Sequence, residues 1–164
     1  DMYVQSYGCL YGLPWTTLRP CNMYGVNSYW QGFRAELIPR MIIRALNKKP
    51  LVIFGDGHQT RDFTYVEDTA RALVSLAECP DSIEKCVNCC SGRETSVLEI
   101  AEILCKNFDL DPTKYIVHDE ERPGDVLRHQ LDNTNLKKII GFAVVRQIDP
   151  LVSLIDIIQE VIHR

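Results

Sequence analysis

Leu51-Val52-Ile53-Phe54-Gly55-Asp56-Gly57 opens a stretch that continues through Thr60-Arg61-Asp62-Phe63-Thr64-Tyr65-Val66 and then Ala70, Leu73, Val74 and Ala77. The first four residues are apolar and stop at two glycines around an aspartate, so they read as a strand followed by a turn. Thr60 to Val66 is again β-branched and aromatic and reads as a second strand, which makes Gly55-Asp56-Gly57 a hairpin turn. After Val66 the apolar spacing lengthens, and Ala70, Leu73, Val74 and Ala77 predict an amphipathic helix with that series as its apolar face.

The same pattern extends in both directions. Upstream, Leu37, Ile38, Met41, Ile42, Ala45 and Leu46 recur at helical spacing, with Pro39 tolerable near the first turn. Trp15 to Leu18 is a short strand ending at Arg19-Pro20, and Asn22 to Gly32 reads as a loop. Residues 1–11 look like a helix stopped by Gly12, with Pro14 following. Downstream, Cys86 to Cys90 reads as a strand, and Ser96 with Glu99 forms a capping box. That box opens a helix whose inner face is Val97, Ile100, Ala101, Leu104 and Phe108. Tyr115 to Val117 is a further strand, and Asp149-Pro150 starts a final helix with the stripe Leu151, Leu154, Ile155, Ile158, Val161 and Ile162. That stripe is either core or a partner-binding face. Strands and helices are interspersed, so the class is α/β. The Trp15 to Leu18 strand lacks enough neighbours here for a complete parallel sheet, so residues outside this sequence are expected to cover it.

The chain has 164 residues, with 46% hydrophobic, 24% charged and 9% aromatic, an ordinary globular composition. A chain of this length buries roughly 70% of its unfolded surface. Its 18 Lys and Arg against 22 Asp and Glu leave a net charge of −4, which argues against a general nucleic-acid binder. Any anion must therefore be held by a few local arginines. No apolar run reaches the roughly 18 residues of a membrane span, and Asp1-Met2-Tyr3-Val4 is not a signal peptide.

Seven cysteines, Cys9, Cys21, Cys79, Cys86, Cys89, Cys90 and Cys105, are too many and too odd in number for an obligatory disulfide framework. On a strand, Cys86 and Cys90 face one way and Cys89 the other, and no second Cys-x-x-Cys or nearby His completes four ligands. Buried structural thiols in a reducing, cytoplasmic compartment are the expectation, and zinc or redox chemistry the alternative. His58, His118, His129 and His163 are scattered and make no metal set.

Six further segments carry a resemblance. Arg19-Pro20-Cys21-Asn22-Met23-Tyr24-Gly25, Leu37-Ile38-Pro39, Val52-Ile53-Phe54-Gly55-Asp56-Gly57, Thr60 to Asp68, Val87-Asn88 and Arg122-Pro123-Gly124-Asp125 occur in this order. In order and approximate spacing, the chain resembles the C-terminal half of the extended short-chain dehydrogenases, the NAD-dependent nucleotide-sugar epimerases and dehydratases. The resemblance implies the last strands of a Rossmann-like sheet together with a small substrate-binding lobe. It treats 1–164 as one substrate-binding portion, with 1–32 the end of the dinucleotide-binding fold and 33–164 mainly the nucleotide-sugar lobe with returning elements. The family's glycine-rich NAD turn and its Tyr-x-x-x-Lys belong upstream of the matched stretch, and no tyrosine here has a lysine four residues on. By resemblance, then, the chain works with an N-terminal dinucleotide-binding half, holds no catalytic residue of its own, and is inactive alone. Members commonly dimerise through helices of that other half, so a homodimer belongs to the complete enzyme.

The resemblance also implies a site. Arg61 and Arg122 are expected on the diphosphate of a nucleotide sugar, because a planar guanidinium offers paired donors that match phosphate oxygens. The bland alternative is a surface pair of Arg61 with Asp62, or of Arg122 with Glu120 or Glu121, worth roughly 0–1 kcal/mol. Asn22, just past a strand end, is expected to bond phosphate or sugar, the alternative being an Asx-turn residue. Phe54 is expected against the nucleobase, or else in the core. Val52 and Ile53 would supply main-chain contacts, Glu36 and Leu37 would flank the nucleotide, and Asn88 and Asp125 would lie near it. Pro20 and Cys21 would face the nicotinamide of NAD.

The function implied is the nucleotide-sugar-binding part of an NAD-dependent UDP-sugar 4-epimerase. In that family NAD takes hydride from C4 of the sugar while a tyrosine removes the hydroxyl proton, and the ketone is re-reduced or loses water first. An NDP-sugar 4,6-dehydratase or a UDP-glucuronate decarboxylase is the alternative within the family. A non-catalytic nucleotide- or protein-binding module is the alternative from another class.

Overall fold

The computed structural model describes residues 1–25, 27–29 and 35–141. The final helix expected from Asp149-Pro150, and positions 26 and 30–32 of the expected loop, lie outside them. The elements are α1 (Met2–Tyr11), β1 (Thr16–Pro20), β2 (Met23–Tyr24), α2 (Leu37–Leu46), β3 (Leu51–Phe54), β4 (Thr60–Arg61), β5 (Thr64–Tyr65) and α3 (Val66–Glu78). A 3-10 turn (Pro80–Ser82) then leads to β6 (Lys85–Cys89), β7 (Thr95–Ser96), α4 (Val97–Asn107), α5 (Pro112–Tyr115), β8 (Ile116–Asp119) and α6 (Thr134–Ile140). The fold is α/β, as the alternation of periods predicts. No helix among the described residues is long and apolar enough to cross a membrane.

The residues fall into two compact units. The first holds Asp1–Met23, Asp62–Gly92 and the described chain from Leu131; the second holds Tyr24–Arg61 and Arg93–Gln130.

In the first unit β1 and β6 pair in parallel, from Thr16 opposite Lys85 to Pro20 opposite Cys89. A parallel pair needs a long crossover, and α3 lies within it. Ala72, Leu76, Val87, Cys89 and Leu136 form the core, with Leu18, Ile139 and Ile140 packed against it. Gly12 ends α1 in the left-handed region at φ 64°, as its position predicts.

The face of α3 differs from expectation. Asp68, Thr69, Ala72 and Leu76 are buried, whereas Ala70 and Ala77 are exposed and Leu73 and Val74 are each 57% exposed. Apolar residues run all round this helix, and periodicity alone cannot say which stripe meets the sheet. Leu73 and Ala77 of the exposed stripe line a groove with Trp15, Leu18, Pro80 and Ile83.

In the second unit β3 pairs in parallel with β8, from Leu51 opposite Ile116 to Phe54 opposite Asp119. Helix α2 buries Ile38, Met41, Ile42 and Ala45. Helix α4 buries Val97, Ile100, Ala101, Leu104 and Cys105, while Phe108 is only half-buried. Both helices pack on β3 and on each other. Pro39 sits in the first turn of α2, where its missing N–H leaves no helical bond unmade. Ser96 Oγ accepts from the Glu99 backbone N–H at 3.0 Å, one arm of the expected capping box.

The hairpin reading of Gly55-Asp56-Gly57 is overturned. β4 pairs antiparallel with β7, Thr60 opposite Ser96 and Arg61 opposite Thr95, and not with β3. After the turn the chain runs onto the start of α4, where the Gln59 and Gly57 carbonyls accept from the Val97 and Leu98 N–H groups at 3.2 and 3.0 Å. Those donors have no partner within their own helix, so they capture the segment that a hairpin would need. Gly57 is required there: its φ is +82°, and a Cβ would come within 3.0 Å of Ile53 and 3.1 Å of Leu98. The single strand expected over Thr60 to Val66 is likewise two short strands, interrupted at Asp62-Phe63, with α3 beginning at Val66.

Ser96→Ala should lower stability by about 1 kcal/mol through loss of the cap. Ile53→Ala, at a position with 0% exposure, should lower it by about 2–5 kcal/mol. Urea denaturation followed by circular dichroism measures both.

Candidate functional site

The Arg122-Pro123-Gly124-Asp125 segment folds as a turn in which the Asp125 N–H donates to the Arg122 carbonyl at 3.2 Å. Proline second and glycine third, with Gly124 at φ 77°, are the residues a type II turn demands. The turn sets Arg122 and Asp125 side by side, and each has a seat in the second unit. The Arg122 guanidinium lies over the ring of Phe54, 3.7 Å from its centroid. The Asp125 carboxylate pairs with Arg61.

Arg61 is tied further. Its Nη1 donates to the Val126 carbonyl at 2.5 Å and to the Thr60 carbonyl at 2.8 Å. With a second Nη on Asp125, a ligand would find Nε and one remaining N–H. Beside this clasp lies a pocket of about 170 Å³ lined by Phe54, Gly55, Asp56, Gln59, Glu121, Asp125 and Leu127. Gln59 Nε2 donates to the Phe54 carbonyl at 2.8 Å and fixes its rim. Phe54 is half-buried, placed between the core and ligand alternatives.

Next to Arg61 on the same strand, Thr60 Oγ1 donates to Glu94 at 2.6 Å, and Arg128 donates to the same carboxylate from Nε at 3.1 Å and Nη2 at 2.5 Å. Arg128, then Thr60, hold the Glu94 carboxyl down to about 2.

Of the other expected residues in this unit, Ile53 is fully buried and Val52 half-buried on β3. Among the described residues β3 pairs on one edge only, with β8. Glu36 is exposed and Leu37 half-buried at the start of α2. The unit therefore brings together Phe54, Arg61, Arg122 and Asp125, with Glu36, Leu37, Val52 and Ile53 on the adjoining helix and strand.

Pro20, Cys21, Asn22 and Asn88 lie in the first unit, at the C-terminal ends of β1 and β6, where open α/β sheets place ligands. Asn22, at φ 31°, donates from Nδ2 to the Asp62 carbonyl at 3.2 Å and to the Cys21 sulfur at 3.3 Å. Asn88 Nδ2 donates to the Asp132 carbonyl at 3.2 Å. Asp62, fully buried, accepts from the Ser91 N–H at 2.8 Å, the Ser91 hydroxyl at 2.5 Å and the Gly92 N–H at 3.0 Å. The sequence reading gave Asp62 no role beyond a surface pair. Its neighbours Ser91 and Gly92 lie about thirty positions away in sequence, and nothing local announces them.

All seven cysteines are free thiols. Burial, then the Asp62 charge, push Cys21 up to about 11 and Cys90 up to about 12. Burial likewise raises Cys89. These thiols stay protonated at neutral pH and are poor nucleophiles or metal ligands. No cluster of three His, Cys, Asp or Glu side chains among the described residues is arranged to hold a metal ion.

A profile described as the NAD dependent epimerase/dehydratase family matches residues 1–90. The chain belongs to that family. A trifunctional UDP-glucose 4,6-dehydratase/UDP-4-keto-6-deoxy-D-glucose 3,5-epimerase/UDP-4-keto-L-rhamnose-reductase of Arabidopsis thaliana is 38% identical over 139 residues, covering 85% of this chain and 20% of that protein. A dTDP-glucose 4,6-dehydratase of Neisseria meningitidis is 31% identical over 152 residues, covering 87% of this chain and 41% of that protein. The solved UDP-glucose 4-epimerase of Thermotoga maritima, in complex with UDP-glucose, superposes at TM-score 0.88 with 29% identity over 99% of this chain and 50% of its own. The chain thus spans between a fifth and a half of these relatives. For a member of an NAD-dependent family, exposed and uncharged Pro20 fits the edge of a nicotinamide ring better than a phosphate, while the Cys21 thiol is buried behind it.

At pH 8 iodoacetamide should label exposed Cys9 in the native protein and leave Cys21, Cys89 and Cys90 unmodified until urea is added, as read by peptide mass spectrometry. The stability contributed by Glu94, a depressed carboxyl, is present above its ordinary 4.5 and lost as pH falls toward about 2. Arg128→Gln should move that loss to higher pH, followed by the Glu94 carboxyl shift in an NMR titration.

Proposed function

We propose that this chain holds the nucleoside diphosphate of a nucleotide sugar within an NAD-dependent epimerase or dehydratase, and that UDP-sugar 4-epimerisation is the reaction served. The observation that carries this reading is the Arg122 to Asp125 turn, seated with a guanidinium on the Phe54 ring and a carboxylate on Arg61 beside a pocket. A ring face suits a nucleobase, and guanidinium N–H groups suit phosphate oxygens. The UDP-glucose in the Thermotoga maritima enzyme supports the uridine choice.

In this reading Arg122 bonds the diphosphate, and Arg61 adds its remaining N–H groups while anchoring the turn through Asp125. Phe54 borders the base, Val52 and Ile53 offer main-chain groups, and Glu36 and Leu37 flank the nucleotide. In the first unit, Asn22 and Asn88 are assigned to phosphate or sugar oxygens, and Pro20 and Cys21 to the nicotinamide. NAD, when bound, supplies the hydride exchange at the sugar. The binding energy gathered on the diphosphate, remote from the reacting carbon, fixes that carbon in place. The proposed partners are a nucleotide-diphosphate sugar and a dinucleotide-binding half supplying the glycine-rich and Tyr-x-x-x-Lys motifs, in a cytoplasmic enzyme. The 164 residues alone are expected to be inactive. The Neisseria meningitidis relative favours a second reading, a dTDP-sugar 4,6-dehydratase.

Calorimetry of the full-length protein with UDP, dTDP, GDP and CDP tests this. UDP should bind tightest, and Arg122→Ala should weaken it about tenfold or more, the loss of a charge-assisted contact worth about 1.5–3 kcal/mol. NAD content should be unchanged. Absence of binding by all four nucleotides removes the reading, and a preference for dTDP moves it to the dehydratase.

A further inference from the structure

Five described arginines hold carboxylates: Arg19 with Asp1, Arg61 with Asp125, Arg71 with Asp68, Arg93 with Glu99 and Arg128 with Glu94. Among the described residues the other three, Arg40, Arg44 and Arg122, hold none, and these three are neighbours. Arg40 and Arg44 stand one turn apart on α2, on the same face of the helix. That helix packs on β3, whose last residue, Phe54, carries the Arg122 guanidinium on its ring. Arg44 donates from Nε to the Pro50 carbonyl and is tied to the turn between α2 and β3. The half-buried Arg40 side chain makes no hydrogen bond or ion pair among the described residues, although Glu36 lies one turn before it. Burial, then the like charges of Arg122 and Arg44, lower the Arg40 guanidinium from its ordinary range.

Among the described residues these three cations have no carboxylate at ion-pair distance, and their mutual repulsion works against the ligand-free protein. A half-buried guanidinium without a partner forfeits hydration, and its like-charged neighbours add repulsion. Such frustration is characteristic of binding sites, where the ligand supplies the missing charge. A phosphate monoester gathers its acceptor oxygens on one phosphorus, within reach of guanidiniums that converge on a single point. A diphosphate offers two linked groups, enough to engage Arg122 and Arg40 together.

We propose that Arg40 is a second guanidinium of the anion site, gripping with Arg122 the diphosphate of the nucleotide, while Arg44 adds its charge from the next turn. The proposal rests on the nucleotide reading above and adds a residue outside the motifs that suggested it. It makes Arg40 a determinant of the choice of a diphosphate over a monophosphate.

The test compares UDP and UMP binding to the full-length protein and its Arg40→Gln and Arg40→Lys variants by calorimetry, with ligand-free melting temperatures alongside. Arg40→Gln should weaken UDP about tenfold or more and UMP much less, shrinking the preference for the diphosphate. Its ligand-free melting temperature should equal or exceed that of the native protein, because a repulsive cation has gone. Arg40→Lys, a point charge without the paired donors, should fall between the two. Unchanged UDP affinity in Arg40→Gln, with native binding intact, overturns the role of Arg40 and leaves the nucleotide reading standing. A lowered melting temperature or failure to fold in both variants makes Arg40 a structural residue and overturns it as well. A native protein that binds none of UDP, dTDP, GDP and CDP removes the nucleotide reading itself, and this proposal with it.

Discussion

The candidate site depends on how the Arg122 to Asp125 turn is seated. A cation over an aromatic ring contributes about 0.5–1 kcal/mol when exposed and about 2 when desolvated, and a partly exposed ion pair adds a similar amount. Ordering four backbone residues costs about 4–8 kcal/mol, so these two contacts do not hold the turn unaided. Pro123 makes up part of the difference, because its ring restricts the unfolded segment to a φ close to the folded one, while Gly124 takes φ 77° without the strain a side chain would bring. The same turn decides what Arg61 is free to do. By accepting two of its donor groups, Asp125 and Val126 convert Arg61 from a mobile surface cation into a fixed one with part of its fork left over.

Charge is distributed to match. A net-negative chain can still concentrate positive potential if its carboxylates are committed elsewhere, and here Glu94, Glu99 and Asp125 are bound to other arginines. Asp56 and Glu121 still line the pocket beside Phe54, so the positive charge is confined to Arg122 on the ring and to the part of the Arg61 fork that Asp125 and Val126 leave over. A ligand entering such a place exchanges bulk water for fixed donors that need no reorganisation, which is how a few side chains discriminate among anions.

The first unit is organised by a buried carboxylate. Asp62 gathers the Ser91 and Gly92 N–H groups beyond β6, and its carbonyl takes the Asn22 amide. The ends of β1 and β6 are thereby held in one arrangement, with the surrounding thiols kept neutral by burial. One apolar stripe of α3 meets the sheet, and Leu73 and Ala77 of the other line a groove with Trp15 and Ile83.

The sequence alone determined the α/β class, the positions of α1 to α4 and of β1, β3, β6 and β8, the left-handed stop at Gly12, the Ser96 cap and the motifs that name the family. Each is written within about four residues, the reach of helical periodicity, caps and turns. The two-residue strands β2 and β7 and the short helices α5 and α6 are too brief to show a period. Tertiary structure decided the partner of β3, which is β8 and not β4, because the open N–H groups at the start of α4 outcompeted a hairpin. It decided which stripe of α3 is core, since an all-round apolar helix carries no phase of its own. It also decided the company kept by Arg40, an ordinary helical arginine in sequence, since the Coulomb field at a side chain is set by groups some eighty positions away that only the folded chain brings near.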